Sequence, residues 1–245
     1  GHDEPICAVG ASTRPRAVEG SYMPCFLAGE TLGRCIASVL DVPFYAVSHQ
    51  QGHIAAALWS AGRLDLMQTP HLAWHLSGGT TELLLVTPAG KNVHAERIGG
   101  TSDVSAGQVM DRTGKLLGLP FPSGKALDEL SGGSDCGELF RVKLDGLQFS
   151  LSGLENKIAQ FRAQGHDDGQ TARYAVASVC HAVCAVTAAA RKAYPGLTVV
   201  FSGGVASNSM LRARCAQFAP VFAQPQYSTD NAMGVAVLTY LQEAH

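Results

Sequence analysis

The spacing of apolar positions changes repeatedly along the chain, which predicts a mixed α/β fold. Short apolar runs bounded by Gly, Pro or Ser predict strands, whereas apolar residues three or four apart predict helices. The predicted strands are 6–12, 43–48, 71–76, 82–87, 92–98, 140–147 and 197–201. The predicted helices are 24–40, 49–60, 105–117, 124–130, 170–193, one starting near 208, and 231–243. The longest helix ends shortly before Pro195, because a residue that precedes proline disfavours helical backbone.

Two of the predicted strands end in the same tripeptide, Ser-Gly-Gly, at 77–79 and 202–204. Glycine after a strand allows close approach to a ligand, and successive N–H groups can then point at an anion. Two ordinary turns would also explain each sequence. Their repetition favours the interpretation that two lobes face one nucleotide or phosphate.

Two histidines, His49 and His53, are spaced four residues apart on a predicted helix. Their side chains lie about 40° apart around the helix axis, so both imidazoles can reach one metal ion. Two unrelated surface or core histidines would show the same spacing. Gln50 stands where zinc peptidases of the HExxH type carry the Glu that activates water, which disfavours peptidase chemistry. Asp230, just before the last helix, is either an N-cap or a third ligand, and spacing alone does not decide.

Three further polar or flexible positions are candidates for ligand contact. Asp111 lies in the middle of a predicted helix among apolar residues, where Asp is a poor helix former. Gly124 lies between two predicted helices and either approaches a ligand or only turns the chain. Asn208 is either a helix cap or a partner of a ribose or base.

Composition narrows the class of protein. With 46% hydrophobic and 16% charged residues in a chain of 245, a disordered protein or a coiled coil is excluded. A net charge of −2 is less basic than expected for a protein that binds nucleic acid by charge alone. Seven cysteines without a CxxC pair indicate a reducing cytosol. The uncharged run 174–190 is weakly hydrophobic and contains His181, so a buried helix is predicted rather than a membrane span.

Six collinear segments resemble the TsaD/Kae-type proteins, formerly called O-sialoglycoprotein endopeptidases or glycoproteases. They cover about residues 48–241. The segments are SHQQGH, HLSGGTTELLLV, IGGTSDVSAGQVMDRTGKLLGLPFPSGKALDEL, FSLSGLENKI, VVFSGGVASNSMLR and YSTDNAMGVA.

The resemblance implies an α/β fold of the actin/Hsp70/sugar-kinase (ASKHA) class, with two ribonuclease-H-like lobes around a nucleotide-and-metal cleft. Residues 1–70 plus 231–245 are expected to form the first lobe and 71–230 the second. The first lobe is expected to be incomplete, lacking the family's N-terminal strand hairpin. The implied reaction is the cytoplasmic transfer of a threonylcarbamoyl group from its adenylate to adenosine in tRNA, with no membrane involved.

The resemblance also implies ligands and partners. A divalent metal ion, iron or zinc, is implied at His49, His53 and Asp230, and the expected nucleotide is ATP or an acyl-adenylate. No residue is assigned as catalytic. Candidate partners are tRNA, proteins of the threonylcarbamoyladenosine pathway and a second copy of the chain. The implied substrate contacts are Leu76, Ser77, Gly78, Gly79, Thr80, Asp111, Gly124, Gly203, Gly204 and Asn208.

Several positions depart from the family pattern. Gln51 and Gln108 stand where the family usually has Glu, and Thr80 replaces the histidine that follows Ser-Gly-Gly. Residues 12–22, STRPRAVEGSY, replace the family's Gly-Pro-Gly loop. These departures favour an alternative in which the chain is a non-catalytic ASKHA paralogue that serves as an assembly partner. A glycoprotein metallopeptidase, as the older name suggests, is a further alternative.

Overall fold

Strands and helices alternate along the computed structural model, which describes residues 5–227 and 231–244. The strands are β1 (Val9–Arg14), β2 (Phe44–Ser48), β3 (His71–Leu76), β4 (Thr81–Ala89), β5 (Asn92–Thr101), β6 (Leu144–Asp145), β7 (Gln148–Phe149), β8 (Val199–Ser202) and β9 (Val221–Phe222). The helices are α1 (Cys25–Leu40), α2 (His49–Ser60), α3 (Ala106–Leu116), α4 (Gly124–Gly132), α5 (Ser152–Ala163), α6 (Asp168–Ala193), α7 (Ser209–Cys215) and α8 (Ala232–Glu243). Short 3₁₀ turns occupy Leu64–Gln68, Gly204–Ser207, Ala216–Phe218 and Pro225–Tyr227.

The larger sheet has the strand order β6-β7-β5-β4-β3-β8-β9. β3, β4 and β5 form an antiparallel meander, and β8 joins β3 in parallel orientation. A separate sheet contains β1 and β2 in parallel, with Val9 opposite Phe44. The two Ser-Gly-Gly turns therefore follow neighbouring parallel strands, β3 and β8, and lie at the same edge of the sheet.

The central strands of the larger sheet, β3 and β8, are buried on both faces because their side chains are apolar on both sides. Leu72, Trp74 and Leu76 of β3 point into a core built with α3, α5 and α6. Ala73 of β3 and Leu84 of β4 belong to a second core that includes α2 and α8. Since successive side chains of a strand alternate between faces, β3 contributes side chains to both cores. This arrangement puts α2 directly against the face opposite α6.

The longest helix, α6, is the core helix of the first of these layers. It is long and apolar enough to cross a membrane, but 67% of its most apolar stretch is buried inside the protein. Trp74 of β3 donates its indole N–H to the Thr187 hydroxyl of α6 at 2.9 Å, which satisfies two buried polar groups. The buried position of this helix agrees with the expectation for 174–190.

Helices α2 and α8 pack against each other through glycines. A Cβ atom on Gly234 of α8 would lie 1.7 Å from the Gly52 carbonyl oxygen of α2. Only glycine permits this approach, and α8 also packs against β1. The division into lobes 1–70 plus 231–245 and 71–230 remains a prediction, since α2 contacts elements of both sheets.

Several segments differ from the sequence-based expectation. The strand expected at 140–147 is reduced to Leu144–Asp145, because the preceding backbone bonds to a side chain: Phe140 N–H donates to the Ser178 hydroxyl at 2.8 Å. The structure also contains α5, which the sequence pattern did not predict. Leu154, Ile158 and Phe161 of α5 are buried, so tertiary packing stabilises this helix.

Candidate functional site

Two cavities lie side by side at the edge of the larger sheet where β3 ends, and Ser77 lines both. The histidine cavity has a volume of 390 Å³. It is lined by Pro15, Arg16, His49, Gln50, His53, Ile54, Ala73, Trp74, His75, Ser77, Thr80, Glu82, Leu84 and Ser202. The glycine cavity has a volume of 500 Å³. It is lined by Ser77, Gly78, Gly107, Met110, Asp111, Pro122, Gly124, Lys125, Asp128, Gly204, Val205, Ser207 and Asn208.

The start of α2 positions the predicted histidine pair. Ser48 and Gln51 form a reciprocal capping box, in which Ser48 Oγ accepts from Gln51 N–H at 3.2 Å and Gln51 Oε1 accepts from Ser48 N–H at 2.8 Å. The helix therefore begins at His49, and the half-buried His49 and His53 face the histidine cavity from its first turns. Their Nε2 atoms are 3.1 Å apart, which is hydrogen-bond distance between the two imidazoles when one of them carries the proton.

This separation fits a shared metal ion. Two nitrogens bound at about 2.0–2.1 Å to one ion lie about 2.9–3.4 Å apart for coordination angles from 90° to tetrahedral. The predicted third ligand, Asp230, lies outside the described residues. Within residues 5–227 and 231–244, no group of three or more His, Cys, Asp or Glu side chains is arranged to hold a metal ion.

A third imidazole, which the sequence analysis did not single out, lies beside this pair. The ring of His75, at the end of β3, has its centroid 5.0 Å from that of His53. Burial, together with the nearby His49, lowers the pKa of His75 to about 4, so this imidazole is neutral near pH 7. Strand alternation could have found it, because His75 shares the sheet face of Ala73 and not that of Leu76.

A charged cluster at the same cavity, next to His75, was also missed. Arg16 Nη2 lies 2.5 Å from Glu82 Oε1, and Glu82 is paired across the strands with His75. Arg97 Nε lies 3.6 Å from the same Glu82 oxygen. The available signal was the charged segment 12–22, which contains Arg14, Arg16 and Glu19.

In the glycine cavity, the Ser77-Gly78-Gly79 turn is held from two sides. Thr80 N–H donates to Ser77 Oγ at 3.0 Å, which closes the turn. Ser105, the N-cap of α3, donates its hydroxyl to the Gly78 carbonyl at 2.6 Å. These two hydrogen bonds therefore anchor the turn at the boundary between the two cavities.

Asp111 and Asn208 line the glycine cavity and also stabilise helix starts. Asp111 Oδ1 accepts from Ser123 N–H at 2.9 Å, which explains an Asp in the middle of α3. Asn208 Oδ1 accepts from Leu211 N–H at 3.0 Å as the N-cap of α7, and Asn208 Nδ2 donates to Asp128 at 2.8 Å. Both side chains are therefore held in fixed orientations at the cavity wall.

The remaining predicted site residues divide between the cavities and the core. Gly124 and Gly204 line the glycine cavity with open space where a Cβ would be, and Thr80 lines the histidine cavity. Leu76 is fully buried, and Gly203 packs on it so closely that a Cβ would lie 2.2 Å from the Leu76 carbonyl oxygen. Gly79 is exposed on the turn and lines neither cavity.

Sequence comparison shows which known proteins the chain is similar to. A family model described as tRNA N6-adenosine threonylcarbamoyltransferase (TsaD) matches residues 20–237. A protein of that name from Streptococcus suis is 34% identical over 213 residues, covering 82% of this chain and 61% of the relative. One from Streptococcus gordonii is 32% identical over 223 residues, covering 87% and 63%. The chain thus spans 61–63% of the length of these curated relatives.

Structural comparison addresses the fold. HypF from T. kodakarensis has a TM-score of 0.67 at 15% identity, covering 97% of this chain and 41% of that one. Full-length HypF in a phosphate- and nucleotide-bound form gives 0.65 at 15% identity, covering 86% and 37%. Component A of (R)-2-hydroxyglutaryl-CoA dehydratase from Acidaminococcus fermentans gives 0.54 at 16% identity, covering 87% and 74%. These neighbours are ASKHA-type proteins, which confirms the predicted fold class.

Proposed function

Because the chain belongs to the TsaD family of tRNA N6-adenosine threonylcarbamoyltransferases, we propose that it binds threonylcarbamoyl-adenylate and transfers the threonylcarbamoyl group to adenosine in tRNA. One observation carries this proposal: the cavity that contains the histidine pair and the cavity beside the Ser-Gly-Gly turn share Ser77 as a lining residue. A substrate with a nucleotide part and an acyl part requires two such compartments.

The glycine cavity is the proposed nucleotide compartment. The N–H groups of Gly78 and Gly79 are suited to the adenylate phosphate, as is the second glycine turn at Gly203 and Gly204. The Ser77 N–H instead donates to the Thr80 carbonyl at 2.8 Å and closes the turn. Asn208 and Asp111 are the proposed partners of ribose hydroxyls, since both line this cavity. The proposed lobes, 1–70 plus 231–245 and 71–230, would lie on either side of the cleft.

The histidine cavity is the proposed metal and acyl compartment. His49 and His53, together with Asp230, would hold a divalent ion, iron or zinc. Such an ion would supply Lewis-acid polarisation of the carbamoyl carbonyl and would neutralise phosphate charge. His75 is neutral at the same wall and so does not repel a cation. Gln50 lines this cavity but has no basic group, which disfavours a metallopeptidase.

The proposed partners follow from the reaction. tRNA is the acceptor, and with a net charge of −2 the chain needs a local basic patch or a partner subunit to bind it. Proteins of the threonylcarbamoyladenosine pathway and a homodimer are further proposed partners. The proposed compartment is the cytoplasm.

A second candidate function is a non-catalytic assembly partner. Gln51 and Gln108 replace glutamates of the family, and both are engaged in capping boxes at the starts of α2 and α3. These amides therefore have structural roles, and the cleft has fewer carboxylates than the family pattern.

The two functions are distinguished by a transfer assay. The purified chain is supplied with threonylcarbamoyl-adenylate, tRNA, Fe²⁺ or Zn²⁺ and candidate partner proteins, and modified adenosine is measured by mass spectrometry. The enzyme proposal expects product, and His53→Ala is expected to lower it about 10–100-fold, in the range seen when metal sites are weakened. His94→Ala, at an exposed position on β5, is the matched control and leaves product unchanged. A stable hetero-complex without product would support the assembly partner instead.

A further inference from the structure

The wall of the histidine cavity contains a guanidinium group, that of Arg16. Arg16 is the only Lys or Arg among the described residues that line it. Its backbone is fixed, because Arg16 N–H donates to Ser21 Oγ at 2.9 Å and the preceding Pro15 carbonyl accepts from Gln50 N–H at 3.0 Å. The second bond joins this segment to the first turn of α2, so Arg16 keeps a constant position relative to the histidine pair.

The charges around Arg16 are unbalanced. Glu82, whose side chain is only 12% exposed, pairs with both Arg16 and Arg97, at 2.5 and 3.6 Å. Two guanidinium groups and one carboxylate leave a net charge of +1. An anionic group of a ligand in the cavity would compensate the excess charge.

The arrangement of the two cavities indicates which anionic group this is. This step rests on the proposed function, in which the nucleotide and its phosphate occupy the glycine cavity and the turn at Ser77. The acyl part of the substrate then extends past Ser77 into the histidine cavity, which shares that residue. The threonylcarbamoyl group ends in the carboxylate of its threonine part.

We infer that Arg16 binds the carboxylate of the threonylcarbamoyl group, with Glu82 orienting the guanidinium. A guanidinium has five N–H donors in a planar fork that matches a carboxylate. The bond to Glu82 is made by Nη2, and the other donors can serve the ligand. Arg16 thereby distinguishes a threonyl group from an acyl group without a carboxylate. It belongs to the segment 12–22 that replaces the family's Gly-Pro-Gly loop.

Isothermal titration calorimetry with three probes tests this assignment. The probes are AMP, a hydrolytically stable analogue of threonylcarbamoyl-adenylate, and the same analogue with a hydroxymethyl group in place of the carboxylate. Arg16→Gln is expected to weaken the carboxylate analogue about 10–100-fold, as for a lost charge-assisted hydrogen bond. The affinities for AMP and the hydroxymethyl analogue are expected to change less than about threefold. Arg16→Lys, which keeps the charge but not the fork, is expected to lie in between.

Arg97→Gln is the matched control. This substitution also removes one positive charge that is paired with Glu82, but Arg97 does not line the cavity. The variant is therefore expected to keep its preference for the carboxylate analogue over the hydroxymethyl analogue. If Arg16→Gln weakened the binding of AMP and of both analogues equally, Arg16 would bind the phosphate, and the assignment would be overturned. Unchanged affinity for the carboxylate analogue would overturn it as well. If the unsubstituted chain bound none of the probes, the proposed function would fail together with this inference.

Discussion

At the residue scale, the two glutamines that replace family glutamates differ in what their amides do. Gln51 is buried, and its Nε2 donates to the Val93 carbonyl of β5 at 2.7 Å while its Oε1 accepts from Ser48 N–H. Gln108 is exposed, and its Oε1 accepts from Ser105 N–H at 3.3 Å. A glutamate could accept both capping bonds, but it could not donate to Val93. The amide is therefore needed at position 51 and not at position 108.

This difference predicts opposite outcomes for the same substitution. Gln51→Glu is expected to lower the free energy of unfolding by about 1–3 kcal/mol at pH 7, because a buried carboxylate would face a carbonyl oxygen. Gln108→Glu is expected to change it by less than about 0.5 kcal/mol, since the site is exposed and a helix N-terminus favours negative charge. Urea unfolding of the two variants measures both values.

The pH dependence provides a second readout. The introduced carboxyl group at position 51 is better tolerated protonated, so folding raises its pKa and the destabilisation shrinks as the pH is lowered toward 4. Equal unfolding midpoints for the two variants at pH 7 would show that the bond to Val93 adds nothing to stability.

At the element scale, helix starts and strand ends determine where functional groups can lie. α2 and β3 have the bounds that the sequence predicts, 49–60 and 71–76, because a capping box and a Ser-Gly-Gly turn mark them locally. β1 lies at Val9–Arg14 and not at 6–12, because its pairing with β2 begins at Val9 opposite Phe44. Pairing between distant segments is not encoded in local spacing.

The contact between α3 and the Ser77-Gly78 turn leads to a prediction for Gly107. A Cβ there would lie 2.5 Å from the Ser77 carbonyl oxygen and 2.6 Å from the Gly78 Cα. Since both are backbone atoms, Gly107→Ala is expected to displace the turn, lower stability by about 1–3 kcal/mol and weaken AMP binding. Thermal unfolding and calorimetry with AMP measure the two effects.

Gly153 of α5 is the control for this substitution. Nothing lies within 4 Å of a Cβ at that position, so Gly153→Ala is expected to stabilise the helix by up to about 1 kcal/mol. If Gly107→Ala bound AMP with the same affinity as the unsubstituted chain, the idea that this contact positions the turn would be refuted.

At the scale of the whole molecule, the crossing of α2 and α8 brings together segments 182 positions apart, at His49 and Asn231. The histidine pair begins α2, and the predicted ligand Asp230 precedes α8, although Asp230 itself lies outside the described residues. The Asn231 side chain donates to the His49 carbonyl at 2.6 Å, which ties the start of α8 to the histidine pair. The geometry of the proposed metal site would therefore depend on how closely these helices approach.

Gly234→Ala tests that dependence. A Cβ at this position would lie 1.7 Å from the Gly52 carbonyl oxygen and 2.9 Å from the Ala56 nitrogen, so the helices must separate. The expected result is a loss of about 3 kcal/mol of stability and weaker binding of Zn²⁺, measured by unfolding and by chelator competition. Gly29→Ala in α1, where the nearest atom is 4.0 Å away, is expected to leave Zn²⁺ binding unchanged and to raise stability by up to about 1 kcal/mol. If Gly234→Ala bound Zn²⁺ with unaltered affinity, the proposed metal site would not depend on the approach of these two helices.

The sequence by itself determined the family, the fold class, most helices and strands, and the histidine pair. These depend on short-range features, namely spacing, caps and contiguous motifs, which a linear reading contains. Only the tertiary structure brought Arg16, Glu82 and His75 to one cavity and showed why Gln51 is an amide. Arg16 and Glu82 are 66 positions apart, and Gln51 and Val93 are 42 apart. Their contacts arise from strand pairing and helix packing, which depend on the whole chain and not on local spacing.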